Sequence, residues 1–169
     1  MPPSNFEILK GILDGSTPGG VQEPVLFPPP IGKTLGFRLT DVSADGPSAT
    51  IELETDPAVH GNPMGTVHGG VLCDIADAAI GSAHWSSLKE GESFVSVDFR
   101  INFFRPVRKN KLKATARAVH IGASISYYVC DIVRQDDGKF VATATSTVMK
   151  IRPRSPQAPE GMGIPHNID

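Results

Sequence analysis

The chain is poor in the features that mark several classes of protein. Its 169 residues include only two cysteines, and both lie in apolar patterns typical of buried, reduced thiols. No apolar run is long enough to span a bilayer, and the first residues lack the basic-then-apolar pattern of a secretory signal. The formal net charge of -2 gives no general reason to expect nucleic acid or an anionic membrane as a partner. We therefore expect one cytoplasmic domain with a sizeable core.

Several catalytic signatures are missing as well. There is no Gly-x-Ser-x-Gly motif of the kind that serine hydrolases use, and no phosphate-binding loop or dinucleotide fingerprint. His60, His68 and His84 do not have the close spacing of metal ligands, and the two cysteines are far apart in sequence. The sequence therefore predicts neither a metal nor a cofactor.

Proline is abundant, with 15 residues, and it is concentrated towards both ends of the chain. Residues 5–14 have apolar side chains at helical spacing, which predicts a short amphipathic helix with Asn5 as its N-cap. Residues 15–33 are so rich in proline and glycine that we expect an irregular connector. The predicted organisation is an N-terminal helix and connector (1–33), a central domain (34–151) and a poorly ordered Pro-rich tail (152–169).

The central domain alternates apolar and polar residues in most of its length. This period of two predicts strands at 34–42, 47–55, 93–104, 111–121, 124–134 and 139–151. In the strand at 93–104 it places Val95, Val97, Phe99, Ile101 and Phe103 on the core side. Residues 69–85 instead form an apolar helix, which can only pack against one face of the sheet. The predicted fold class is α+β, with a curved antiparallel sheet wrapped around one long central helix and a short N-terminal helix.

The start of the central helix has two consecutive glycines, Gly69 and Gly70, directly after a loop rich in glycine and proline. A helix N-terminus exposes unpaired backbone N–H groups, and glycine leaves them open to a substrate oxygen. In acyl transfer, one such donor stabilises the developing oxyanion by roughly 3 kcal/mol. The same glycines would also let the helix pack closely on the sheet, and the sequence does not separate these interpretations.

Two carboxylates, Asp74 and Asp77, lie on this otherwise apolar helix. Aspartate is a poor residue for a helix interior and is costly to bury without a partner, so the pair requires an explanation. Asp77 shares a stripe of mostly small residues with Gly70, Cys73, Gly81 and His84. That stripe leaves room for a ligand or a second subunit, and a carboxylate there can activate water or attack a carbonyl. We expect Asp74 to pair with a residue such as Arg100 or Arg105, and Asp77 to perform chemistry.

The loop before the helix offers two further polar side chains. Asn62 precedes Pro63, so its backbone should be extended, and its side chain either braces the loop or donates to a substrate carbonyl. His68 either caps the helix, orients the loop or contacts substrate. For a single histidine, a structural role is the more common one.

The run from Asn62 to Gly70, with Asp77 nine positions after His68, resembles the hotdog-fold thioesterases. The most similar branch is the phenylacetate-degradation (PaaI-like) type, which is related to the 4-hydroxybenzoyl-CoA thioesterases. Two later segments match the same branch, namely Val95-Ser96-Val97-Asp98 and Phe103-Phe104-Arg105-Pro106. The resemblance covers roughly residues 34–150.

This resemblance implies hydrolysis of an acyl-CoA thioester to a free acid and CoA, without a metal. It also implies homodimers, commonly paired into tetramers, whose sites are shared across the dimer interface. By position, Asp77 would be the general base or nucleophile, and the amide of Gly69 would polarise the thioester carbonyl with help from Asn62. Ser96 would help to position the attacking water.

The resemblance also suggests residues that contact the substrate. His68 and Gly70 would shape the substrate site. Arg105, Arg108 and Lys109 would contact the phosphates of CoA, or they would form a solvated edge of the domain.

Two other functions remain open on the same fold. In a hydratase or dehydratase of enoyl-CoA, His68 would pair with Asp77 to move protons at carbon. A non-catalytic acyl-CoA binding module is the other alternative, because function depends on the site and not on the architecture. The acyl group is not determined, although an aromatic pocket or simply core packing would explain Trp85, Phe94, Phe99, Phe103, Phe104 and Tyr127.

Overall fold

The computed structural model describes residues 3–16 and 29–152. Its helices are α1 (Asn5–Leu13), α2 (Pro30–Leu35), α3 (Pro57–His60) and α4 (Gly69–Trp85). Its strands are β1 (Arg38–Ser43), β2 (Ser48–Thr55), β3 (Ser93–Ser96), β4 (Arg100–Phe103), β5 (Asn110–Ile121), β6 (Ile125–Arg134) and β7 (Phe140–Ile151). The predicted tail beyond residue 152 and most of the predicted connector lie outside the described residues.

All strands belong to one antiparallel sheet, which curls around α4 into a half-barrel. The strand order is β1-β2-β5-β6-β7-β3, and β4 pairs with β7 beyond the end of β3. The alternation predicted for β2 is confirmed, since Ile51 and Leu53 are both 1% exposed and face the helix. The predicted fold, a curved sheet wrapped around one central helix with a short N-terminal helix, is confirmed.

Helix α4 begins and ends where the sequence predicted. It contains no proline, and apolar residues recur at intervals of three and four, which produces one continuous apolar face. That face packs against β2, β5 and β6 and buries Val71, Leu72, Ile75, Ala76, Ala79, Ile80 and Ala83. Burying one Ile or Leu side chain contributes about 1.5–3 kcal/mol, so tertiary packing holds the helix in place. The opposite face carries the two carboxylates.

The predicted connector is wrong at its end, because Pro30–Leu35 forms α2. Pro30 occupies the first helical turn, where its missing N–H costs nothing, and Gly36 ends the helix with a left-handed φ of 77°. The strand predicted from residue 34 consequently begins at Arg38. In α1 the N-cap is Ser4 and not Asn5, because Ser4 and Glu7 form a reciprocal capping box.

The strand predicted at 93–104 is interrupted. Between β3 and β4 the side chain of Asp98 accepts a hydrogen bond from the Thr147 backbone N–H at 2.9 Å. The carbonyl of Asp98 accepts a second bond from the Ser146 hydroxyl at 2.7 Å. This irregularity changes which side chains face the core on either side of it. One extra residue in a strand turns every following side chain to the opposite face of the sheet.

The predicted core face of this strand is therefore only partly correct. Phe99 and Ile101 pack against the core as predicted, together with Phe94. Phe103 lies on the same face as Ile101 and contacts Gly69, although it is 53% exposed. Val95 and Val97 point away from the core and are 42% and 57% exposed. They lie along an edge of the sheet, where exposed apolar side chains mark a surface suited to association.

Both cysteines are free thiols. Cys130 is buried as predicted, and burial raises the pKa of its thiol far above the ordinary value. Cys73 is only half-buried, because it lies at the margin of the face of α4 that carries the carboxylates. Within the described residues, no helix has the length and apolar character needed to cross a membrane.

Candidate active site

The N-terminus of α4 presents an open backbone amide at its first residue. His68 is the N-cap, and its Nδ1 accepts a hydrogen bond from the Gly70 N–H at 2.9 Å. The amide of Gly70 is thereby engaged within the chain. Among the described residues, the N–H of Gly69 has no acceptor. The structure thus distinguishes the two glycines that the sequence treated alike, and the free donor at the positive end of the helix dipole belongs to Gly69.

Gly69 lies against the ring of Phe103. A Cβ atom at this position would be 3.1 Å from the ring, which is closer than ordinary packing allows without a shift of the neighbour. A larger residue at this position would therefore push against Phe103, which covers one side of the Gly69 amide.

The loop that leads into α4 is held by the side chain of Asn62. Its Oδ1 accepts hydrogen bonds from the N–H groups of Met64 at 2.9 Å and Thr66 at 3.2 Å. Its Nδ2 donates to the Thr66 hydroxyl at 2.9 Å, which uses one of the two N–H groups of the amide. Arg108 closes the same loop by donating to the Gly65 carbonyl at 3.0 Å. Asn62 therefore braces the loop. Among the described contacts, one N–H of its side-chain amide has no partner and can donate to a ligand.

Asp77 lies in the middle of the exposed face of α4. The hydroxyl of Ser96, on β3, donates to Oδ1 of Asp77 at 3.4 Å. Desolvation raises the pKa of the Asp77 carboxyl above its ordinary value, and the nearby charge of Asp74 raises it further, while the Ser96 hydrogen bond acts in the opposite direction. Such a carboxylate is a stronger base than one in free solution.

A cavity of about 360 Å³ opens beside Asp77. It lies between the exposed face of α4 and the two edges of the curled sheet, with β1 and β2 on one side and β3 on the other. Its lining is mainly apolar and includes Trp85 and Phe94. Of the six aromatic residues proposed for a pocket, these two alone line this cavity in the part of the chain that is described.

Asp74 lines the same cavity and makes no ion pair among the described residues, so the predicted pairing with Arg100 or Arg105 is wrong. Arg105 instead donates to the carbonyl of Phe140 at 2.7 Å. The reason is topological, because Arg100 and Arg105 lie beyond the interruption of the edge strand and do not face this part of α4.

The predicted site residues fall into two groups within one chain. Asp77 and Ser96 form one group, and Asn62, His68, Gly69 and Gly70 form the other. Eight residues of helix separate Gly69 from Asp77, which corresponds to about 12 Å along the axis. The two groups of a single chain therefore cannot contact the same carbonyl. The same separation prevents His68 from pairing with Asp77 of its own chain.

Arg105, Arg108 and Lys109 are all exposed on the segment after β4. Two of them are already tied to backbone carbonyls, but each guanidinium keeps further N–H groups for an anion. No group of three or more His, Cys, Asp or Glu side chains converges as a metal site among the described residues.

Sequence reasoning missed the contribution of α2 to the site. Pro29 and Ile31 line the cavity next to Asp77, although the segment was predicted to be an irregular connector. The signal was present as a proline at the first helical position and a glycine just past the last one, which is a typical pattern for a short helix.

Comparison with known proteins supports the interpretation of this architecture. The sequence profile of the thioesterase superfamily matches residues 64–141. The chain is 30% identical over 107 residues to the 1,4-dihydroxy-2-naphthoyl-CoA hydrolase of Listeria monocytogenes, covering 62% of this chain and 83% of that protein. It is 26% identical over 124 residues to acyl-coenzyme A thioesterase 13 of Mus musculus, covering 73% of this chain and 87% of that protein.

The fold is similar to that of the PaaI protein from the phenylacetic acid degradation operon of E. coli. The two structures align with a TM-score of 0.65 and 28% identity, covering 72% of this chain and 83% of that one. The half-barrel around one helix, together with these matches, defines the protein as a hotdog-fold thioesterase. The chain belongs to the thioesterase superfamily, with PaaI and related thioesterases as structural neighbours.

Proposed function

We propose that this thioesterase hydrolyses an acyl-CoA thioester to a free acid and CoA, with Asp77 as the catalytic carboxylate. The observation that carries the proposal is the position of Asp77, which is hydrogen-bonded to Ser96 at the side of an apolar cavity of about 360 Å³. The names of two relatives support a CoA ester as substrate, since both are named for CoA esters.

In this mechanism the raised pKa of Asp77 makes its carboxylate a more effective base towards water, or a nucleophile towards the thioester carbonyl. Ser96 holds one oxygen of the carboxylate and leaves the other for the water molecule. The free N–H of Gly69 at the helix N-terminus donates a hydrogen bond to the carbonyl oxygen and stabilises the negative charge that develops there. The remaining N–H of Asn62 helps to hold the same oxygen, while His68 keeps the helix tip in place.

We propose that one active site uses Gly69 of one chain and Asp77 of a second chain. The separation of about 12 Å along α4 supports this, because both groups must reach one carbonyl carbon and its oxygen. A two-fold axis would bring the tip of each helix next to the middle of its partner and create two equivalent sites. The exposed edge strand β3, with Val95 and Val97 at its end, is a suitable surface for such a dimer. Two dimers would then form a tetramer.

On this proposal Arg105, Arg108 and Lys109 would bind the phosphates of CoA through charge-assisted hydrogen bonds. All three residues are exposed. Arg108 also holds the loop that contains Asn62, so one residue would contact both the CoA phosphates and the loop that leads to the tip of α4. The proposed domain is residues 34–151, flanked by 1–33 and 152–169. The N-terminal segment nevertheless contributes Pro29 and Ile31 to the cavity.

The test is a panel of short, medium, long and aryl acyl-CoA thioesters, with release of free thiol as the measurement. We expect thiol release from some of the thioesters and little turnover of p-nitrophenyl oxygen esters of the same acids. Hydration of an enoyl-CoA with no release of thiol would favour the hydratase. Saturable binding of acyl-CoA without turnover of any member of the panel would favour a binding module.

A further inference from the structure

The cavity beside Asp77 has a charged end and an apolar end. One turn before Asp77, the carboxylate of Asp74 lines it. In the other direction the helix contributes Ala78, Gly81 and Trp85. The walls opposite the helix are mainly apolar, and their polar members are Arg38 on β1 and Ser96 on β3. Because placing an uncharged acyl chain against a carboxylate would desolvate that charge, the chain should extend from Asp77 towards Trp85.

The length of the apolar part follows from the geometry of the helix. Eight residues separate Asp77 from Trp85, which corresponds to about 12 Å along the axis. An extended polypeptide advances about 3.5 Å for every three backbone bonds, which is about 1.2 Å per bond, and an extended acyl chain has about the same rise per bond. A distance of 12 Å therefore holds an acyl chain of about ten carbons.

The apolar end is built from packed side chains. Trp85 is half-buried and packs against the hydrophobic core. The ring of Phe94 lies over Gly81, where a Cβ atom would be 3.4 Å from the ring. Phe94 is in turn held by an edge-to-face contact with the buried ring of His84, with 5.2 Å between the ring centroids. The end of the cavity thus rests on the core and is not a loop that can move aside.

We propose that Trp85 closes the acyl cavity and limits the substrate to uncharged acyl groups of no more than about ten carbons, or compact aryl groups of similar length. This inference rests on the proposed function of the same site. It makes Trp85 a residue that determines specificity, and it makes Gly81 the position that sets the width of the cavity.

The test compares Trp85→Leu with the wild-type protein on unbranched acyl-CoA thioesters of two to sixteen carbons. We expect the wild-type kcat/KM to fall steeply beyond ten carbons. In Trp85→Leu the ratio of kcat/KM for fourteen carbons to that for eight should rise by about tenfold or more, since one methylene in an apolar pocket changes selectivity by 10–200-fold. The matched control is Leu88→Ala, which also removes buried apolar volume but lies outside the cavity lining. Its length profile should match that of the wild type.

A second variant keeps the proposal testable if Trp85→Leu does not fold. Gly81→Ala adds one methyl at an ordinary contact distance from Phe94 and improves helix propensity, so it should fold at least as well as the wild type. We expect the ratio of kcat/KM for eight to ten carbons to that for two to four carbons to fall by about tenfold.

Binding is measured in parallel with the corresponding thioethers, which cannot be hydrolysed. A length limit in thioether binding that moves in Trp85→Leu supports the cavity assignment even if no thioester is cleaved, in which case only the proposed function fails. Equal kcat/KM of the wild type for eight and sixteen carbons would overturn the inference. So would length profiles that are unchanged in folded Trp85→Leu and Gly81→Ala proteins.

Discussion

The N-terminal tip and the middle of α4 lie on one helix but differ in how their polar groups are hydrogen-bonded. At the tip, side chains and backbone satisfy each other through short hydrogen bonds, with His68 on Gly70 at 2.9 Å and Asn62 on Thr66 at 2.9 Å. In the middle, Asp77 has one long bond of 3.4 Å, from Ser96, within the described part of the chain, and it borders a mainly apolar cavity.

The difference follows from what each region contributes. A backbone amide is fixed in place by its helix, so the tip needs only rigid neighbours to present the Gly69 N–H. A carboxylate becomes reactive when it is poorly solvated and poorly hydrogen-bonded, so the middle needs apolar surroundings. Since about 12 Å separates the two regions along the helix, they belong to different sites in the dimer that we propose.

The largest expected effect comes from Asp77→Asn, which removes the base without changing the volume of the side chain. We expect kcat to fall by about 10³-fold, within the range that general bases contribute. The matched variant Asp74→Asn, on the same cavity, should stay within about tenfold of the wild type. Thiol release by both proteins is the measurement, and equal losses in the two variants would make Asp77 no more important than its neighbour.

Asp77→Asn should also change the stability of the folded protein, and the raised pKa of Asp77 determines the direction of the change. Because the folded-state pKa of Asp77 is raised, the folded protein is penalised at pH values above this pKa, where the carboxylate is ionised. The variant should therefore have a higher Tm than the wild type near pH 7. The difference should disappear as the pH falls below the ordinary pKa of aspartate. A lower Tm at neutral pH would contradict this account.

The next effect tests the tip. Gly69→Pro removes the proposed donor N–H, and proline fits both the first helical position and the extended backbone of His68 before it. We expect a loss in kcat of about 10²- to 10³-fold, as for other oxyanion donors. Gly69→Ala is the control, because it brings a similar Cβ against Phe103 but keeps the N–H. If both variants lose the same activity, steric contact and not the amide explains the loss.

A mixing experiment addresses the distance between the two regions. Co-expressed Asp77→Asn and Gly69→Pro chains, each nearly inactive alone, should recover about one quarter of wild-type activity, because half of the random dimers would contain one intact site of two. Purification of the mixed dimer through two different tags raises the expected value to about one half. No recovery in the purified mixed dimer would place both groups of a site in the same chain.

The smallest effect concerns the acidic limb of the pH profile of kcat/KM. Ser96→Ala removes the hydrogen bond that lowers the pKa of Asp77, so the limb should move to higher pH. Asp74→Asn removes the like charge that raises this pKa, so the limb should move to lower pH. Shifts of the same sign in the two variants would show that another group controls the limb.

The parts of the site on regular elements were predictable from sequence. The bounds of α4 followed from its apolar spacing, and the antiparallel sheet followed from alternation and turn residues. The edge strand was less predictable, because the hydrogen bonds that Asp98 makes to β7 interrupt it and reverse the direction of Val95 and Val97. That interruption depends on a partner strand some fifty residues away, which no local pattern contains.

The amino-acid sequence by itself determined that Gly69 opens a helix and that Asp77 lies two turns later on its exposed face, because helical spacing is a local property. The sequence left several roles open for His68, and its bond to the Gly70 N–H is a local capping contact. Only the tertiary structure decided that Phe103, distant in the chain, covers one side of the Gly69 amide that this cap leaves free. It also decided that α2, Trp85 and Phe94 enclose a cavity around Asp77, because a cavity arises where elements distant in sequence fail to fill the space between them.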